Sequence, residues 1–219
     1  MPRQNALAGV IVFGASRETG LEATRILALR GDKVTAFVRP TSDRSGLAPL
    51  NVTYAVGDAL DPPSIAAALA GGNYRAVICT IGGERGDRRP DYEGVRNIVD
   101  AAKAAGVRRF ILVTVIGAGN SADAVSEQVK RFLGPVIELK TKAENHLMAS
   151  GLDYTIIRPG GLNSLPASGL GRLYDDVMTM GQISRADLGA LVVQALDDEE
   201  TIGKIHHAID QEFLGKAPM

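Results

Sequence analysis

The stretch that decides the fold is VIVFGASRETG, residues 10–20. Four apolar residues indicate a buried strand, a glycine turn follows at once, and the next residues begin a helix. Gly14 permits a tight turn, and Gly20 lets the helix pack closely on the strand. The N–H groups of the first helical turn then face outward with the positive end of the helix dipole, which suits the pyrophosphate of a dinucleotide. This order of elements predicts a dinucleotide-binding turn.

The rest of the chain repeats this alternation of short β-branched runs and helical stretches. Strands are predicted at residues 9–13, 33–38, 52–56, 76–81, 109–115, 153–159 and 204–209. Three of the helical stretches end at Gly31, Gly106 and Gly151, where a positive φ stops a helix. Such alternation is typical of an α/β fold, a Rossmann-type doubly wound parallel sheet. A length of 219 residues fits a single domain over residues 1–219.

One segment departs from this alternation of strands and helices. Residues 162–183 are rich in Gly, Ser and Pro, lack clear periodicity and separate the sixth strand from the last helix. A connection between a strand and a helix usually takes about 2–6 residues. Ligands of open parallel sheets bind beyond the carboxyl ends of the strands, the edge from which this segment leaves. We predict that residues 162–183, called the lid segment below, form a short substrate lid, with a plain surface loop as the alternative.

Composition narrows the classes of ligand and partner. The chain has 24 Lys and Arg against 25 Asp and Glu, a formal net charge of -1, so nothing favours nucleic acid or an anionic membrane as a partner. No apolar run approaches the roughly 20 residues of a membrane span. The one cysteine, Cys79, cannot form an internal disulfide, and no signal peptide is recognisable. We expect a cytoplasmic protein with a small-molecule ligand; the oligomeric state stays open.

The choice between NAD and NADP is predicted from the end of the second strand, about 20 residues after the glycine turn. NAD enzymes carry a carboxylate there for the ribose 2′-OH. This chain has Val38 and Arg39 there. Arg39, with Arg17 of the glycine turn, suits a 2′-phosphate, because a guanidinium matches paired phosphate oxygens and keeps its charge. NADP(H) is therefore the predicted cofactor.

The glycine turn resembles that of the short-chain dehydrogenase/reductase superfamily, which often reads Gly-Ala-Ser-Arg-Gly-x-Gly or, in atypical members, Gly-Ala-Thr-Gly-x-Thr-Gly. Both forms carry a middle glycine, and this chain has Arg17 and Glu18 at the alternative middle positions. The segments at 56–61, 80–83 and 153–161 also resemble the atypical members. The turn and this resemblance together predict a cofactor site of Gly14, Ser16, Arg17, Glu18, Thr19, Gly20, Arg39, Asp58, Ala59, Thr80, Ile81, Gly82, Thr114, Lys142, Pro159, Gly160, Gly161 and Leu162.

The catalytic positions depart from the family's usual pattern. Typical members use a Tyr four residues before a Lys, with a Ser on the fifth strand, so that the phenol protonates a carbonyl oxygen as hydride arrives. If Lys142 is the family's lysine, the tyrosine position holds Glu138, and the serine position falls on Thr114 or Val115. The resemblance thus implies Thr114 and Lys142 as catalytic residues and leaves the usual proton donor missing. Sugar epimerases and alcohol dehydrogenases, which need that group, are disfavoured.

The nearest patterns within the superfamily look like the flavin and biliverdin reductases, which are similar in the sixth strand, the short lid and the start of the last helix at 183–189. Hydride transfer to a flavin, quinone or tetrapyrrole spreads negative charge over the ring system, so solvent can supply the proton. We therefore predict an NADPH-dependent reductase of a planar conjugated acceptor. A non-catalytic NADP(H)-sensing regulatory protein explains the missing tyrosine equally and stays open.

Other chemistries have little support in the sequence. His206 and His207 are neighbours on a predicted strand and face opposite sides, and His146 lies on a helix, so no metal site is predicted. The sequence has neither a Gly-x-Ser-x-Gly elbow nor a phosphate loop ending in Gly-Lys-Ser/Thr. A hydrolase and a nucleoside triphosphatase are therefore disfavoured.

Overall fold

A computed structural model describes residues 8–83, 86–87 and 89–215 of the chain. The strands in these ranges are β1 (Gly9–Phe13), β2 (Val34–Val38), β3 (Thr53–Val56), β4 (Tyr74–Cys79), β5 (Arg109–Val113), β6 (Asp153–Pro159), β7 (Gly161–Asn163), β8 (Gly171–Tyr174), β9 (Gln182–Ser184) and β10 (Lys204–Asp210). The α-helices are α1 (Glu18–Leu29), α2 (Pro62–Ala70), α3 (Glu93–Ala104), α4 (Glu127–Ala149) and α5 (Arg185–Asp197). None of the helices described is long and apolar enough to cross a bilayer.

The main sheet has eight strands in the order β3-β2-β1-β4-β5-β6-β10-β8. Neighbouring strands run parallel, except that β8 pairs antiparallel with β10. The chain reverses its direction of travel across the sheet between β1 and β4, which is the switch point of a doubly wound fold. The predicted Rossmann-type α/β fold is confirmed.

Both faces of the sheet are covered, which explains why central strands such as β1 are continuous apolar runs. Along β1, Val10 and Val12 face one core, and Ile11 and Phe13 face the other. The first core is closed by α1 and α5, and the second by α2, α3 and α4. All five residues of β1 are buried. The sheet is therefore the middle layer of three.

Helices α1 and α5 pack directly against each other, and Gly189 of α5 permits the close approach. A Cβ at this position would lie 2.6 Å from the Cβ of Glu22 and 3.0 Å from the backbone nitrogen of Ala23, both in α1. Each contact lies near the start of its helix. The N-termini of α1 and α5 are consequently neighbours at the carboxyl edge of the sheet.

Every predicted strand is present, with small differences at the ends. The first and sixth have the predicted bounds, the second and third begin one residue late, and the fourth lies two residues early, at Tyr74–Cys79. The fifth ends at Val113, and the last continues to Asp210. The predicted helix stops are confirmed, since Gly31, Gly106 and Gly151 have φ of +88°, +73° and +79°.

The lid segment is more ordered than its sequence predicts. It contains β8, which extends the main sheet, and its two ends pair as β7 and β9. Asp187 of α5 anchors it by accepting hydrogen bonds from the backbone nitrogens of Ser168 and Gly169, each at 2.9 Å. Burial disfavours the charged form of Asp187, but these bonds and one from Ser184 outweigh it and hold the pKa below its usual range. Strands of three or four residues are too short to show a period in the sequence.

The packing of α1 on α5 predicts opposite effects for two helical glycines. Gly189→Ala is expected to lower the free energy of unfolding by about 1–3 kcal/mol, because the added methyl overpacks the contact with α1. Gly134→Ala in α4 is the control, since nothing lies within 4 Å of its added Cβ. It is expected to raise stability by roughly 0.5–1 kcal/mol. Urea denaturation followed by circular dichroism measures both, and effects of the same sign would contradict the close approach.

Candidate functional site

A cavity of about 860 Å³ opens at the carboxyl ends of the strands, beside the switch point between β1 and β4. This volume falls in the range of small-molecule and cofactor sites, roughly 300–1,000 Å³. The predicted site residues that line it are Gly14, Ser16, Arg17, Glu18, Thr19, Gly20, Arg39, Asp58, Ala59, Thr80, Ile81, Gly82, Thr114, Pro159 and Leu162. Lys142, Gly160 and Gly161 are absent from the lining. The structure therefore brings most of the predicted site together.

The glycine turn has no room for side chains at Gly14 and Gly20. Gly14 has φ +90°, and a Cβ there would lie 2.5 Å from Thr80 Oγ1. A Cβ on Gly20 would lie 2.1 Å from the carbonyl oxygen of Gly14. No side chain caps the start of α1, whose first residue lines the cavity. An open helix N-terminus beside a bare glycine turn fits a pyrophosphate.

Glu18 occupies the position of the missing middle glycine in one form of the family turn. Its φ is +51°, and it is the one non-glycine residue with a positive φ in the described ranges. This left-handed conformation costs a side-chain-bearing residue roughly 1–2 kcal/mol. The turn thus keeps the backbone shape that glycine usually provides.

The end of the cavity near β2 carries both charge signs. Sequence reasoning identified Arg17 and Arg39 but missed Asp43, which lines the same cavity. Hydrogen bonds from the backbone N–H (2.8 Å) and hydroxyl (3.0 Å) of Ser45 hold the pKa of Asp43 below its usual range. Asp58 accepts a bond from a backbone N–H two residues on, at 2.8 Å. Both carboxylates are thus engaged by their own turns.

The glycines after β6 serve packing rather than the cavity wall. A Cβ on Gly160 would lie 2.3 Å from the carbonyl oxygen of Gly181 in the lid segment. The backbone nitrogen of Gly161 donates to the same oxygen at 2.9 Å. These contacts hold the start of the lid segment to its end, and the flanking Pro159 and Leu162 line the cavity.

The lysine that lines the cavity is Lys140, and the assignment of Lys142 from the sequence is corrected. Lys142 is half-exposed, and its Nζ lies 2.8 Å from Glu138 Oε1 on the surface of α4. Lys140 is buried and donates to the carbonyl oxygen of Ile81 at 2.7 Å. Its Nζ also lies 3.0 Å from Asp91 Oδ1, another residue that sequence reasoning missed.

Helical periodicity contains a signal for this correction. The buried residues of α4 are Lys140, Ala143, Glu144 and Leu147, which recur at three- and four-residue intervals. Lys142 lies off this stripe. Extending the apolar stripe backward along the helix would have selected Lys140.

With Lys140 as the family's lysine, the tyrosine position moves from Glu138 to Val136, so the usual proton donor is still missing. Among the described residues that line the cavity there is no tyrosine, histidine or cysteine. Cys79 is fully buried, and burial raises the pKa of its thiol to about 11. In the ranges that the structure covers, no group of three or more His, Cys, Asp and Glu could hold a metal ion.

Thr114, one of the two candidates for the serine position, lines the cavity, and its hydroxyl points into a buried ion pair. The hydroxyl donates to Glu144 Oε1 at 2.6 Å. Arg158 clamps the same carboxylate, with Nε 3.0 Å from Oε1 and Nη2 2.7 Å from Oε2. The side chains of Glu144 and Arg158 are 0% and 1% exposed. A third bond joins Arg158 Nη1 to Asn120 Oδ1 at 2.8 Å.

This arrangement determines whether the Thr114 hydroxyl can donate or accept a hydrogen bond in the cavity. Its one hydrogen is directed to Glu144, so only its lone pairs can serve a ligand. The hydroxyl can accept a hydrogen bond in the cavity, but it cannot donate one to a carbonyl oxygen.

Comparison with known proteins identifies the family. Residues 14–199 match a family described as NAD(P)H-binding. The chain is 32% identical over 198 residues to an uncharacterized sugar epimerase, YhfK, of Bacillus subtilis, covering 88% of this chain and 89% of that protein. It is 30% identical over 240 aligned positions to sanguinarine reductase of Eschscholzia californica, covering 89% of this chain and 86% of the relative.

A solved structure supports the same family. The structure of ChuY, described as an anaerobilin reductase from Escherichia coli O157:H7, superposes with a TM-score of 0.85. The two sequences are 30% identical, and the match covers 94% of this chain and 98% of the other.

The corrected lysine predicts a contrast between two neighbouring residues. Lys140→Met leaves the buried Asp91 without its cation and is expected to lower the free energy of unfolding by about 3–5 kcal/mol. Lys142→Met, on the exposed face, is expected to leave the urea midpoint unchanged. Urea denaturation of both variants, with calorimetric titration of NADPH on the folded proteins, checks the pair. Equal losses of stability would mean that Lys140 is not the buried lysine.

Proposed function

Because the chain belongs to the NAD(P)H-binding family of oxidoreductases, we propose that it transfers hydride from NADPH to a planar conjugated acceptor such as a flavin, a quinone or a linear tetrapyrrole. The names of two relatives, sanguinarine reductase and anaerobilin reductase, support a reductase. The choice of acceptor rests on the direction of the hydrogen bond from the Thr114 hydroxyl to Glu144.

The residues that line the cavity suit the parts of the dinucleotide. In this proposal the turn from Gly14 to Gly20 binds the pyrophosphate, and Asp58 with its neighbour lies beside the adenine. Arg39, with Arg17, binds the 2′-phosphate. When bound, NADPH supplies the hydride.

The opposite end of the cavity holds the reacting rings in this proposal. Lys140 donates to the Ile81 carbonyl and to Asp91, which holds these two residues beside each other. Pro159 and Leu162 provide an apolar wall. Thr114 offers an acceptor oxygen, and Lys140 remains close enough to line the same space. The protein's contribution is then to hold two flat rings in contact and to exclude water, which is catalysis by proximity.

Among the described lining residues there is no tyrosine, histidine or cysteine to act as the proton donor, which favours an acceptor that does not need one. A ketone must receive a proton on oxygen as hydride arrives, and Thr114 cannot give it because Glu144 holds its hydrogen. A conjugated ring system delocalises the incoming charge, so that water supplies the proton later. Sugar epimerisation, which the Bacillus relative's name suggests, needs an acid or base at the reacting oxygen and is less well supported.

A panel assay tests the proposed reaction. Purified protein is incubated with NADPH and flavins, quinones, linear tetrapyrroles and simple ketones, and nicotinamide absorbance is followed. We expect turnover with one of the three conjugated classes and none with the ketones. Tight NADPH binding without turnover of any acceptor would instead support an NADP(H)-sensing regulator.

The proposed cofactor preference gives a further prediction. Arg39→Ala is expected to weaken NADPH binding by about 1.5–3 kcal/mol, the range of a charge-assisted hydrogen bond, and to leave NADH almost unchanged. Arg44→Ala is the control, because Arg44 lies over the ring of Tyr54 rather than in the cavity lining. Fluorescence titration with both cofactors measures the affinities. Equal affinities of the unmodified protein for NADPH and NADH would refute the preference.

The proposed mechanism predicts a mild effect at Thr114. At saturating NADPH and acceptor, Thr114→Val is expected to lower the rate by less than about tenfold, or 1.4 kcal/mol of barrier. Thr114→Ser should behave like the unmodified protein. If Thr114 were the general acid, its removal would cost on the order of 10²–10⁴ in rate and abolish one limb of the pH profile. A loss of that size with the fold intact would reject the stacking mechanism.

A further inference from the structure

Glu18 places a carboxylate at the end of the cavity where the cofactor's phosphates are proposed to bind. It is the first residue of α1 and lines the cavity, with a side chain 61% exposed. A helix N-terminus attracts any nearby anion, including a carboxylate of its own first turn. A mobile glutamate here would therefore compete with a pyrophosphate for the same N–H groups and repel its charge.

Arg185 is placed to counter this carboxylate. It is the first residue of α5, whose N-terminus neighbours that of α1. Its Nε lies 3.9 Å from Glu18 Oε2, and that nitrogen is buried without a hydrogen-bond partner. Nη1 donates to Ser164 Oγ of the lid segment at 3.2 Å. The side chain is only 25% exposed and does not contribute to the described cavity lining.

The other acids of the two helix starts are already engaged. Glu22 of α1 accepts from Arg25 at 2.5 Å. Asp187 of α5 accepts from Ser184 and from the backbone of the lid segment. In the part of the chain that the structure describes, Glu18 is the carboxylate paired with Arg185.

We infer that Arg185 is a positioning residue for cofactor binding, which acts by pairing with the Glu18 carboxylate, so that this carboxylate competes less for the helix N-terminus and repels the phosphates less. The inference rests on the proposed binding of NADPH at this turn. It gives a reason why a turn with glutamate at the middle position can serve a doubly charged pyrophosphate. The same guanidinium also ties the lid segment to this end of the site through Ser164.

According to this inference, Arg185 increases the affinity for NADPH only while Glu18 is charged. A double-mutant cycle measures that dependence. The variants are Arg185→Gln, Glu18→Gln and the double variant; glutamine matches the size of glutamate, and at Arg185 it removes the charge while keeping a polar side chain. The affinity for NADPH is measured by nicotinamide fluorescence at low ionic strength, where exposed charges are least screened.

We expect Arg185→Gln to weaken NADPH binding by about fivefold to twentyfold, because the freed carboxylate competes for the helix N-terminus. Glu18→Gln is expected to tighten binding by about twofold to fivefold, since one negative charge leaves the site. In the Glu18→Gln background, Arg185→Gln should change the affinity by less than about twofold. The coupling should shrink when salt is raised.

Two results would overturn the inference. An equal loss in both backgrounds would mean that Arg185 acts on the phosphates directly or only through the fold. No loss in either background would mean that it has no part in binding. Arg25→Gln is the matched control, since Arg25 pairs with Glu22 one turn farther along α1 and should leave the affinity unchanged.

Ser164→Ala separates the lid contact from the Glu18 contact. It removes the bond to Nη1 but leaves the ion pair, so the affinity for NADPH should change by less than about twofold. A loss as large as that of Arg185→Gln would assign the effect to the lid segment and overturn the inference. The cycle needs no acceptor, so failure to find turnover would count against the proposed reaction and leave this result standing.

Discussion

The close approach of α1 to the ends of β1 and β4 is the constraint on which the rest of the structure depends. The carbonyl of Gly14 and the hydroxyl of Thr80 occupy the space that a Cβ on Gly20 would need, at 2.1 and 2.5 Å. Because no side chain stands there, the helix begins directly behind the strand and turns its N-terminus to the cavity. Helix α5 is set in turn by its contact with α1 at Gly189. The start of α1 therefore lines the cavity, and the start of α5 lies beside it.

The other end of the site depends on two buried ion pairs that attach α4 to the sheet. Lys140 reaches Asp91 at 3.0 Å, and Arg158 reaches Glu144 at 2.7 Å. Burying such pairs costs nearly as much desolvation as their attraction returns, so they are weak sources of stability. Their effect is orientation. One holds Asp91 beside Ile81, and the other fixes the hydrogen of the Thr114 hydroxyl.

These features give the cavity a consistent chemical character. At the end of the glycine turn it offers backbone N–H groups and guanidinium groups beside carboxylates, and at the other end an apolar wall, an acceptor oxygen and the Lys140 ammonium. Position and fixed dipoles, rather than a titrating acid, are what such a site can contribute to a reaction. The proposed transfer of hydride between stacked rings needs no more than this. The lid segment is attached to the start of α5 by hydrogen bonds with Asp187 and Arg185.

The sequence by itself determined the fold and most of the cavity wall, because a strand, a glycine turn and a helix start are local features. The bounds of β1 and β6 and the turn at residues 14–20 needed no distant partner. Only the tertiary structure decided what the lysine of the site binds. The apolar stripe of α4 favours Lys140 over Lys142, but its contact with Asp91, which lies far away in the chain, depends on packing between elements. The pairing of Glu144 with Arg158 and the pairing of the short strands of the lid segment are likewise decided by packing between elements, which no local feature of the sequence specifies.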